Sequence, residues 1–477
     1  MRSWVPSAFD SSRCRHPEAR LQGAWKAAQF GLLVLPMSPL VGAIALVGAM
    51  VETWKHCASE IHRRSLNRGF AALGLWLVGG TLFAEYRQAA FLGLFNFLPF
   101  FAFFAAFSAL VRTPAQLRRI AWIAIVTSVP VVIIGWGQLF WGWSGPVTFW
   151  PILDWRLEAT GTPPGRMASV FAYANVLASY FLITLILGLG LWFEQWRAVQ
   201  VLRRRSPRAE KVRDPRDPRI VRTIDLNASE EGGIVWQRWI FLTLAVLGNA
   251  VALVLTNSRN AWAIAVLAGL AFALYHGWRA LVAIVVAASS AILGSAFAPD
   301  PVGRGLRAIV PAYFWLRLSD RLYPDRPVET LRITQWQFAW NMAGDRPLFG
   351  WGLRNFTELY RDQMGIWMGH PHNLFLMLAA ETGFPATIAL STLVGWGYAR
   401  GWLLLRDWPP EPPRSQPERS AGDELSDDRG IYFSYLVGFA ACILFHLLDV
   451  ILFDARVNIL AWLLLASICG VAYYRRA

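Results

Sequence analysis

The sequence predicts an all-α, polytopic integral membrane protein, mainly because of its composition. Hydrophobic residues make up 55% of the 477 residues and charged residues only 16%, and the mean hydropathy is +0.38. A soluble protein of this length does not need so many apolar residues, whereas each membrane-spanning helix needs about 20. The 25 Trp and 30 Phe residues also suit a protein that meets lipid and water at two interfaces.

Apolar runs predict about 12 transmembrane helices and one long external loop carrying short helices. The runs are 24–36, 38–54, 70–84, 89–111, 120–141, 168–195, 238–256, 260–275, 280–297, 373–400, 431–452 and 457–474. The predicted organisation is an N-terminal tail (1–23), helices 1–9 (24–297) with a polar loop at 197–236, the external loop (298–371), and helices 10–12 (372–477) with a polar loop at 401–430. Within the external loop, Val328 to Met342 has helical periodicity.

The positive charge indicates how the chain is oriented. Most of the 45 Lys and Arg residues fall in segments on the same side of the predicted bundle as the N-terminus, and such residues favour the cytoplasmic side. Both termini are therefore expected in the cytoplasm, with residues 298–371 outside. The net charge of +14 is explained by topology, so we expect no binding of nucleic acid.

A histidine at the start of an apolar helix is a candidate for chemistry. His372 lies in His370-Pro-His-Asn-Leu, between the external loop and the tenth apolar run. Histidine exchanges a proton near neutral pH, so it is a frequent general base. At a membrane surface, such a base can activate a hydroxyl for attack on a lipid-carried substrate. Taken alone, His372 also fits an interfacial residue that caps the helix or hydrogen-bonds locally.

Two arginines on the predicted external side are candidates for binding phosphate. Arg259 lies in a short turn between two apolar runs, and Arg332 lies in the helical stretch of the long loop. A guanidinium stays charged and donates two parallel hydrogen bonds, which suits a phosphate. Either arginine alone also fits contact with lipid headgroups. Arg166 and Asn175 place polar groups at the external end of the sixth run, where such groups are costly and often functional.

Five short stretches follow one another in an order shared with a known family. They are Arg166…Phe171…Asn175, Thr256-Asn-Ser-Arg259, Arg332…Trp336…Pro347…Gly350-Trp-Gly352, His372-Asn-Leu…Glu381-Thr-Gly383 and His446-Leu-Leu-Asp449…Asn458. With the long external loop between them, these stretches resemble the O-antigen ligase and polymerase family of bacterial envelope glycosyltransferases. The resemblance runs from about Arg166 to the C-terminus. Asn260 departs from the family pattern, in which a small residue or glycine is more usual.

The resemblance implies transfer of a glycan from an undecaprenyl-diphosphate carrier to an acceptor sugar hydroxyl, which for ligases belongs to the lipid A core. It places the chain among the lipids of the bacterial inner membrane, with the active site and residues 298–371 facing the periplasm. His372 is then the implied catalytic histidine, and Arg259 and Arg332 the implied diphosphate-binding residues. Two fixed positive charges can stabilise a departing diphosphate. We therefore expect an inverting glycosyltransferase without a metal or other cofactor.

A second set of residues is expected to support the site: Arg166, Asn175, Asn373, Glu381 and Asp449. Glu381 lies nine residues after His372, so on an unbroken helix the two side chains would point to opposite faces. Gly383 and Pro385 are expected to break that helix just after Glu381. Asp449, near the external end of a span, fits either a functional role or a polar contact within the bundle.

Two alternatives remain open at this point. A polysaccharide polymerase shares the fold and the chemistry, but its acceptor is another lipid-linked repeat unit. A small-solute transporter is the other alternative, because relatives named as inorganic-carbon transporters resemble the stretches around Asp345-Arg-Pro347 and Asp449 but lack the histidine motif. Transporters bind their solutes near the bilayer midplane. The polar residues of this chain gather at the external interface, which favours chemistry on a lipid-borne substrate.

Overall fold

A computed structural model of the chain describes residues 15–149, 152–209, 218–319, 327–408 and 427–475. These residues are mostly helical, with a single short β-hairpin among them, which confirms the predicted fold class. In chain order the helices begin with α1 (Gln22–Val34), α2 (Pro39–Arg63), α3 (Ser65–Gly80), α4 (Arg87–Gly93), α5 (Leu98–Leu110), α6 (Pro114–Phe140), α7 (Ala174–Ala209), α8 (Pro218–Leu255) and α9 (Arg259–Tyr275). They continue with α10 (Arg279–Phe297), α11 (Val302–Ile309), α12 (Ala312–Leu318), α13 (Arg332–Asp345), α14 (Asn355–Met364), α15 (Leu374–Arg406), α16 (Asp428–Phe445) and α17 (Ala455–Tyr474).

Short elements connect some of these helices. The 3₁₀ turns span Ala19–Leu21, Thr81–Phe83, Leu94–Asn96 and Val328–Thr330. One antiparallel hairpin, β1 (Gly145–Phe149) and β2 (Leu153–Leu157), follows α6 and pairs Gly145 with Leu157. The hairpin lies at the end of the bundle where α1 meets α2, because Trp155 Nε1 donates to Met37 O at 2.7 Å.

Eight helical segments of the described residues are long and apolar enough to cross a membrane, so the chain is a multi-pass membrane protein. They are Arg87–Leu110, Pro114–Phe140, Ala174–Arg203, Gly232–Leu255, Arg279–Phe297, Leu374–Arg406, Asp428–Phe445 and Ala455–Tyr474. Each of the twelve predicted runs overlaps a helix. Run 89–111 covers both α4 and α5, and runs 168–195 and 431–452 extend beyond α7 and α16 into residues that are not helical. However, α1, α3 and α9 have only 13, 16 and 17 residues. The expected number of twelve spans, and their orientation, remain predictions.

Side-chain caps fix the start of the two helices that frame the site described below. The Asn373 side chain accepts a hydrogen bond from Leu376 N at 3.0 Å at the start of α15. The Asp454 side chain accepts one from Arg456 N at 2.9 Å at the start of α17. A cap of this kind satisfies backbone N–H groups that the helix leaves unpaired, and its loss costs about 1 kcal/mol.

The expected break after Glu381 is present in α15. Gly383 leaves the helical conformation, with φ 78° and ψ 167°. A Cβ atom at this position would lie 2.3 Å from Leu348 O, so both the positive φ and the close approach of the chain require glycine. Phe384 N then donates to Pro347 O at 2.8 Å. The kink thus joins the chain at Pro347 and Leu348 to the first third of α15.

Residues 298–371, predicted to be external and called the external segment here, carry helices α11 to α14, as expected of the long loop. The predicted helix near Val328 is α13, preceded by a 3₁₀ turn. It packs against α14 and α15 through a small apolar core that includes Phe338, Ala339 and Tyr360. Arg346 also pairs with Glu85 across 2.9 Å. The segment therefore lies against the turn between α3 and α4, at the end of the bundle where α15 begins.

The two polar loops are partly helical. Helix α7 continues to Ala209, and α8 begins at Pro218, both within the predicted loop 197–236. Helix α15 continues to Arg406, inside the loop predicted at 401–430. A helix that leaves the membrane keeps its internal backbone hydrogen bonds, so an apolar pattern locates its membrane-spanning part and not its ends. Residues 210–217 and 409–426 lie outside the described residues.

Candidate functional site

His372 occupies the turn between α14 and α15 in an unusual backbone conformation. Its φ of 54° is in the left-handed region, which a residue other than glycine adopts only at a cost. His370 helps to hold this conformation, because His372 N donates to His370 Nδ1 at 3.1 Å. The two imidazole rings meet edge to face, with centroids 4.5 Å apart. The turn thus fixes the direction of the His372 side chain before α15 begins.

Asp449 lies beside His372 and comes from the loop between α16 and α17. His372 Nδ1 is 3.2 Å from Asp449 Oδ1, and the same oxygen accepts from Val450 N at 2.9 Å. His370 Nε2 lies 3.6 Å from it. A carboxylate only accepts, so Nδ1 of His372 carries the proton in this contact. Nε2 of His372 has no hydrogen-bond partner among the residues that the structure describes.

Asn175 and Arg166 extend the polar chain behind Asp449. Asn175 Nδ2 donates to Asp449 Oδ2 at 2.5 Å, and Arg166 Nη2 donates to Asn175 Oδ1. Arg166 Nε in turn donates to Thr256 O at 2.8 Å. Both oxygens of the buried carboxylate are therefore occupied, and the amide of Asn175 is fixed by partners on both sides. This arrangement holds Asp449 rigidly against His372.

Burial and the hydrogen bonds set the charges of this cluster. Burial alone raises the pKa of the Asp449 carboxyl, but the hydrogen bond from His372 and the neighbouring imidazoles hold that pKa below its ordinary value. Burial lowers the pKa of His370 to about 4, although Asp449 opposes this change. At neutral pH the cluster therefore contains a charged carboxylate and a neutral His370.

A cavity of about 990 Å³ opens in front of the cluster. Asn175, His370, His372 and Asp449 form part of one wall. The remaining wall includes charged and aromatic side chains at the starts of α4, α7 and α14, in the loop before His370 and in the loop after Asp449: Tyr86, Arg87, Tyr173, Arg354, Glu358, Trp367, Phe453 and Asp454. The space is large enough for more than one sugar ring, and His372 is one of its lining residues.

The two predicted phosphate-binding arginines lie near this cluster but do not line the described part of the cavity. Arg332 is the first residue of α13, and its charge contributes to the low pKa of His370. Arg259 is the first residue of α9. The adjacent Asn260 Nδ2 donates to Phe445 O at 3.1 Å, so the residue that departs from the family pattern ties this turn to the end of α16.

Asn373 and Glu381 hold helices in place and do not line the cavity. Asn373 caps α15, and its Nδ2 donates to Leu447 O at 3.1 Å. Glu381 is buried, and its Oε1 accepts a hydrogen bond from Phe356 N at 3.2 Å. A carboxylate at the start of α14 stabilises the unpaired N–H groups of that helix. Glu381 thus anchors the external segment and is not part of the cavity wall.

Three residues of the cluster have the spacing of a cation site. The ligand atoms of His370, His372 and Asp449 all lie within 4.8 Å of one another, and two imidazoles with a carboxylate suit a transition metal. In the described geometry, however, hydrogen bonds from His372, Val450 and Asn175 already occupy the Asp449 oxygens. A bound ion would have to replace at least the contact from His372. The expectation of a metal-free site remains a prediction.

Sequence reasoning missed Arg87 and Arg354, which supply positive charge to the cavity wall. Arg354 follows the Gly350-Trp-Gly352 stretch and takes a left-handed conformation, with φ 62°, just before α14. Because Arg354 follows directly after that stretch, it could have been chosen from the sequence as a candidate site residue. Arg87 begins α4 in the part of the chain that resembles the family only as apolar spans. Nothing in the spacing of residues 85–90 indicates that this helix reaches the site.

Comparison with known proteins identifies a family that resembles part of the chain. Residues 243–391 match the family model described as O-antigen ligase. The match includes Arg259, Arg332 and His372, whereas Asn175 and Asp449 lie outside it. No curated protein matches the chain. The resemblance expected from the sequence is confirmed for these residues, so this multi-pass membrane protein contains an O-antigen ligase-like region at 243–391.

Proposed function

We propose that this protein transfers a glycan from an undecaprenyl-diphosphate carrier to a sugar hydroxyl of the lipid A core, with His372 as general base. The observation that carries the proposal is the hydrogen bond between His372 Nδ1 and Asp449 Oδ1 at the wall of the large cavity. The bond leaves Nε2 as the nitrogen that can accept a proton from a substrate. A base that faces a cavity at the end of the helix bundle is suited to a lipid-borne substrate and a bulky acceptor.

The proposed reaction is a direct displacement at the anomeric carbon. The acceptor hydroxyl gives its proton to His372 Nε2 while its oxygen forms the new glycosidic bond. The bond between the anomeric carbon and the diphosphate oxygen breaks, and its electron pair leaves with the diphosphate. One displacement inverts the anomeric configuration. Asp449 stabilises the imidazolium that forms, as a carboxylate does when it orients a catalytic histidine.

Arg259 and Arg332 are proposed to hold the diphosphate at the rim of the site. Fixed positive charges stabilise negative charge as it develops on the leaving group, so the reaction requires no metal ion. Arg332 is close enough to His370 for its positive charge to lower the pKa of that histidine. Arg259 begins a helix beside the end of α16. Both arginines therefore lie at the same end of the bundle as His372.

The cavity suits the proposed acceptor. Tyr86, Tyr173 and Trp367 line it, and aromatic rings pack against the apolar faces of sugars. Arg87 and Arg354 share the lining with the carboxylates of Glu358 and Asp454, so the wall offers both hydrogen-bond donors and acceptors to the hydroxyl groups of an oligosaccharide. We place this end of the bundle in the periplasm of a bacterial inner membrane, following the distribution of Lys and Arg. The cluster lies at helix ends and not at their middle, which supports surface chemistry over transport.

The experiment that tests this proposal separates ligase from polymerase. Cells that lack the gene are complemented with the wild type or with His372→Ala, and both lipopolysaccharide and lipid-linked glycan are measured. A ligase predicts uncapped lipopolysaccharide and accumulated lipid-linked polymer with the variant. Accumulated single repeat units would show a polymerase instead, and normal lipopolysaccharide with normal lipid-linked pools would overturn the proposal.

A further inference from the structure

A second cavity, of about 560 Å³, lies at the other end of the bundle. Its walls come from the end of α2, the start of α3 and the last turns of α15 and α17. Leu374 and Arg400 both lie on α15 and stand up to roughly 39 Å apart at 1.5 Å per residue. This cavity is therefore separate from the one beside His372, and the proposed glycan transfer does not use it.

Arginine dominates the second cavity, whose lining includes Arg20, Arg63, Arg64, Arg400 and one carboxylate, that of Glu60. The Glu60 carboxylate is already engaged, because Arg64 pairs with Glu60 and Arg112, from outside the lining, pairs with it across 3.0 Å. Neither Arg63 nor Arg400 has an acidic partner among the residues that the structure describes. The cavity thus retains uncompensated positive charge.

Tyr473 positions two of these guanidinium groups. Arg400 Nη1 donates to Tyr473 OH at 3.1 Å, and the Arg64 guanidinium lies 4.3 Å from the centroid of the Tyr473 ring. Arg64 Nη1 also donates to Ser108 Oγ at 2.8 Å. Ser65 lines the cavity as the first residue of α3, so the positive end of that helix adds to the field. These side chains are held in place before any ligand arrives.

The surroundings of the cavity point to lipid. Trp396, Trp402 and Tyr474 are 41%, 50% and 48% exposed and lie on α15 and α17 close to Arg400 and Tyr473. Exposed Trp and Tyr residues near helix ends are typical of the zone where headgroups meet acyl chains. A guanidinium binds the oxygens of a phosphodiester through parallel hydrogen bonds, and basic pockets between helix ends suit anionic headgroups.

We propose that this arginine cavity binds the phosphodiester headgroup of an anionic phospholipid from the adjoining leaflet, which the charge distribution predicts to be cytoplasmic. Arg63 and Arg400 contact the phosphate oxygens, and Arg64 with the start of α3 supplies the surrounding positive field. The acyl chains leave the cavity along the exposed aromatic residues of α15 and α17. The proposal is independent of the reaction at His372.

The test uses the full-length protein in nanodiscs of phosphatidylcholine that contain increasing fractions of cardiolipin. Retained cardiolipin is counted by native mass spectrometry, and the thermal midpoint is recorded. The wild type should retain cardiolipin and gain stability. Combined Arg63→Gln and Arg400→Gln should weaken cardiolipin retention by about tenfold or more, equivalent to about 1.4 kcal/mol or more. Arg406→Gln is the matched control, because Arg406 ends α15, is exposed and pairs with Asp407 across 2.8 Å.

Two results would overturn the proposal. Equal cardiolipin retention by the wild type and the double variant would show that the arginine cavity is not the binding site. Displacement of cardiolipin by millimolar inorganic phosphate, with the same stabilisation, would show that the cavity takes free phosphate and not a lipid. The double variant's thermal midpoint in pure phosphatidylcholine shows whether it remains folded. If it does not, the single Arg63→Gln variant, at an exposed position, replaces it with the same two criteria.

Discussion

His372 Nδ1 and Asp449 Oδ1 lie 3.2 Å apart, although the two residues are 77 positions apart in the chain. One belongs to the turn before α15 and the other to the loop between α16 and α17. The contact matters because a carboxylate that holds one imidazole nitrogen decides which nitrogen is basic. Asn175 and Val450 fix the carboxylate in turn. The proposed chemistry depends on this geometry.

Asp449→Asn should therefore be severely impaired in glycan transfer. An amide at this position can present its N–H group to His372 Nδ1, which favours the tautomer with the proton on Nε2. We expect a loss of about 10²–10⁴-fold in rate, the range for a misdirected catalytic base. Initial rates with purified protein and a lipid-linked donor measure the effect. Asn175→Ala should lose less, and a rate for Asp449→Asn within twofold of the wild type would contradict the role of Asp449.

Removal of metal ions should leave the rate unchanged. His370, His372 and Asp449 have the spacing of a cation site, but the proposed reaction uses hydrogen bonding and arginine charge. Protein treated with EDTA and then dialysed should transfer glycan as fast as untreated protein. Metal analysis of the purified protein is the companion measurement. Loss of activity with EDTA, restored by one added transition metal, would mean that His372 is a ligand and not the base.

Arg259→Lys and Arg332→Lys should each lower turnover. Lysine keeps the charge but cannot donate the two parallel hydrogen bonds of the guanidinium. The cost should be about 2–4 kcal/mol of transition-state stabilisation, as for loss of one preorganised donor at developing charge. Arg304→Lys is the control in the external segment, because Arg304 is 81% exposed and pairs with Asp300. Equal rates for all three variants would refute the diphosphate assignment.

The folded protein should lose stability as the pH falls from about 6.5 to 4, in part through His370. Its pKa is about 4 in the folded state against an ordinary value of 6.5. In this pH window, His370 binds a proton more readily in the unfolded chain than in the folded protein, so acidification favours unfolding. His370→Asn, which keeps a hydrogen-bond acceptor for His372 N, should flatten this dependence. Thermal midpoints of both proteins across that window provide the measurement, and parallel curves would contradict the assignment.

Composition and apolar runs predicted the architecture because a bilayer imposes a length and a polarity on every helix. The break at Gly383 was also predictable, since glycine followed closely by proline interrupts a helix for local reasons. The ends of α7 and α8 were not, because a helix can extend beyond the apolar residues that mark its span. Local pattern thus determined which helices form but not where they end.

The meeting of His372 with Asp449 could not be derived from spacing, because it depends on how α15, α16 and α17 pack. The sequence signal that grouped these residues was an order of motifs that resembles the ligase and polymerase family. That order of motifs did not indicate Arg87, because α4 lies before the region of resemblance. The position of His370 beside Asp449 also required the structure, because one residue separates the two histidines and only the turn brings both rings to the carboxylate.

The most direct test of the proposed mechanism compares His372→Ala with His370→Asn in glycan transfer from the same lipid-linked donor. Loss of a positioned base should reduce the rate of His372→Ala by about 10²–10⁴-fold. His370→Asn should retain most of the activity, because its amide oxygen can still accept from His372 N. Thermal midpoints show that both variants are folded. Near-normal transfer by folded His372→Ala would contradict the role of His372 as general base, whichever result His370→Asn gives.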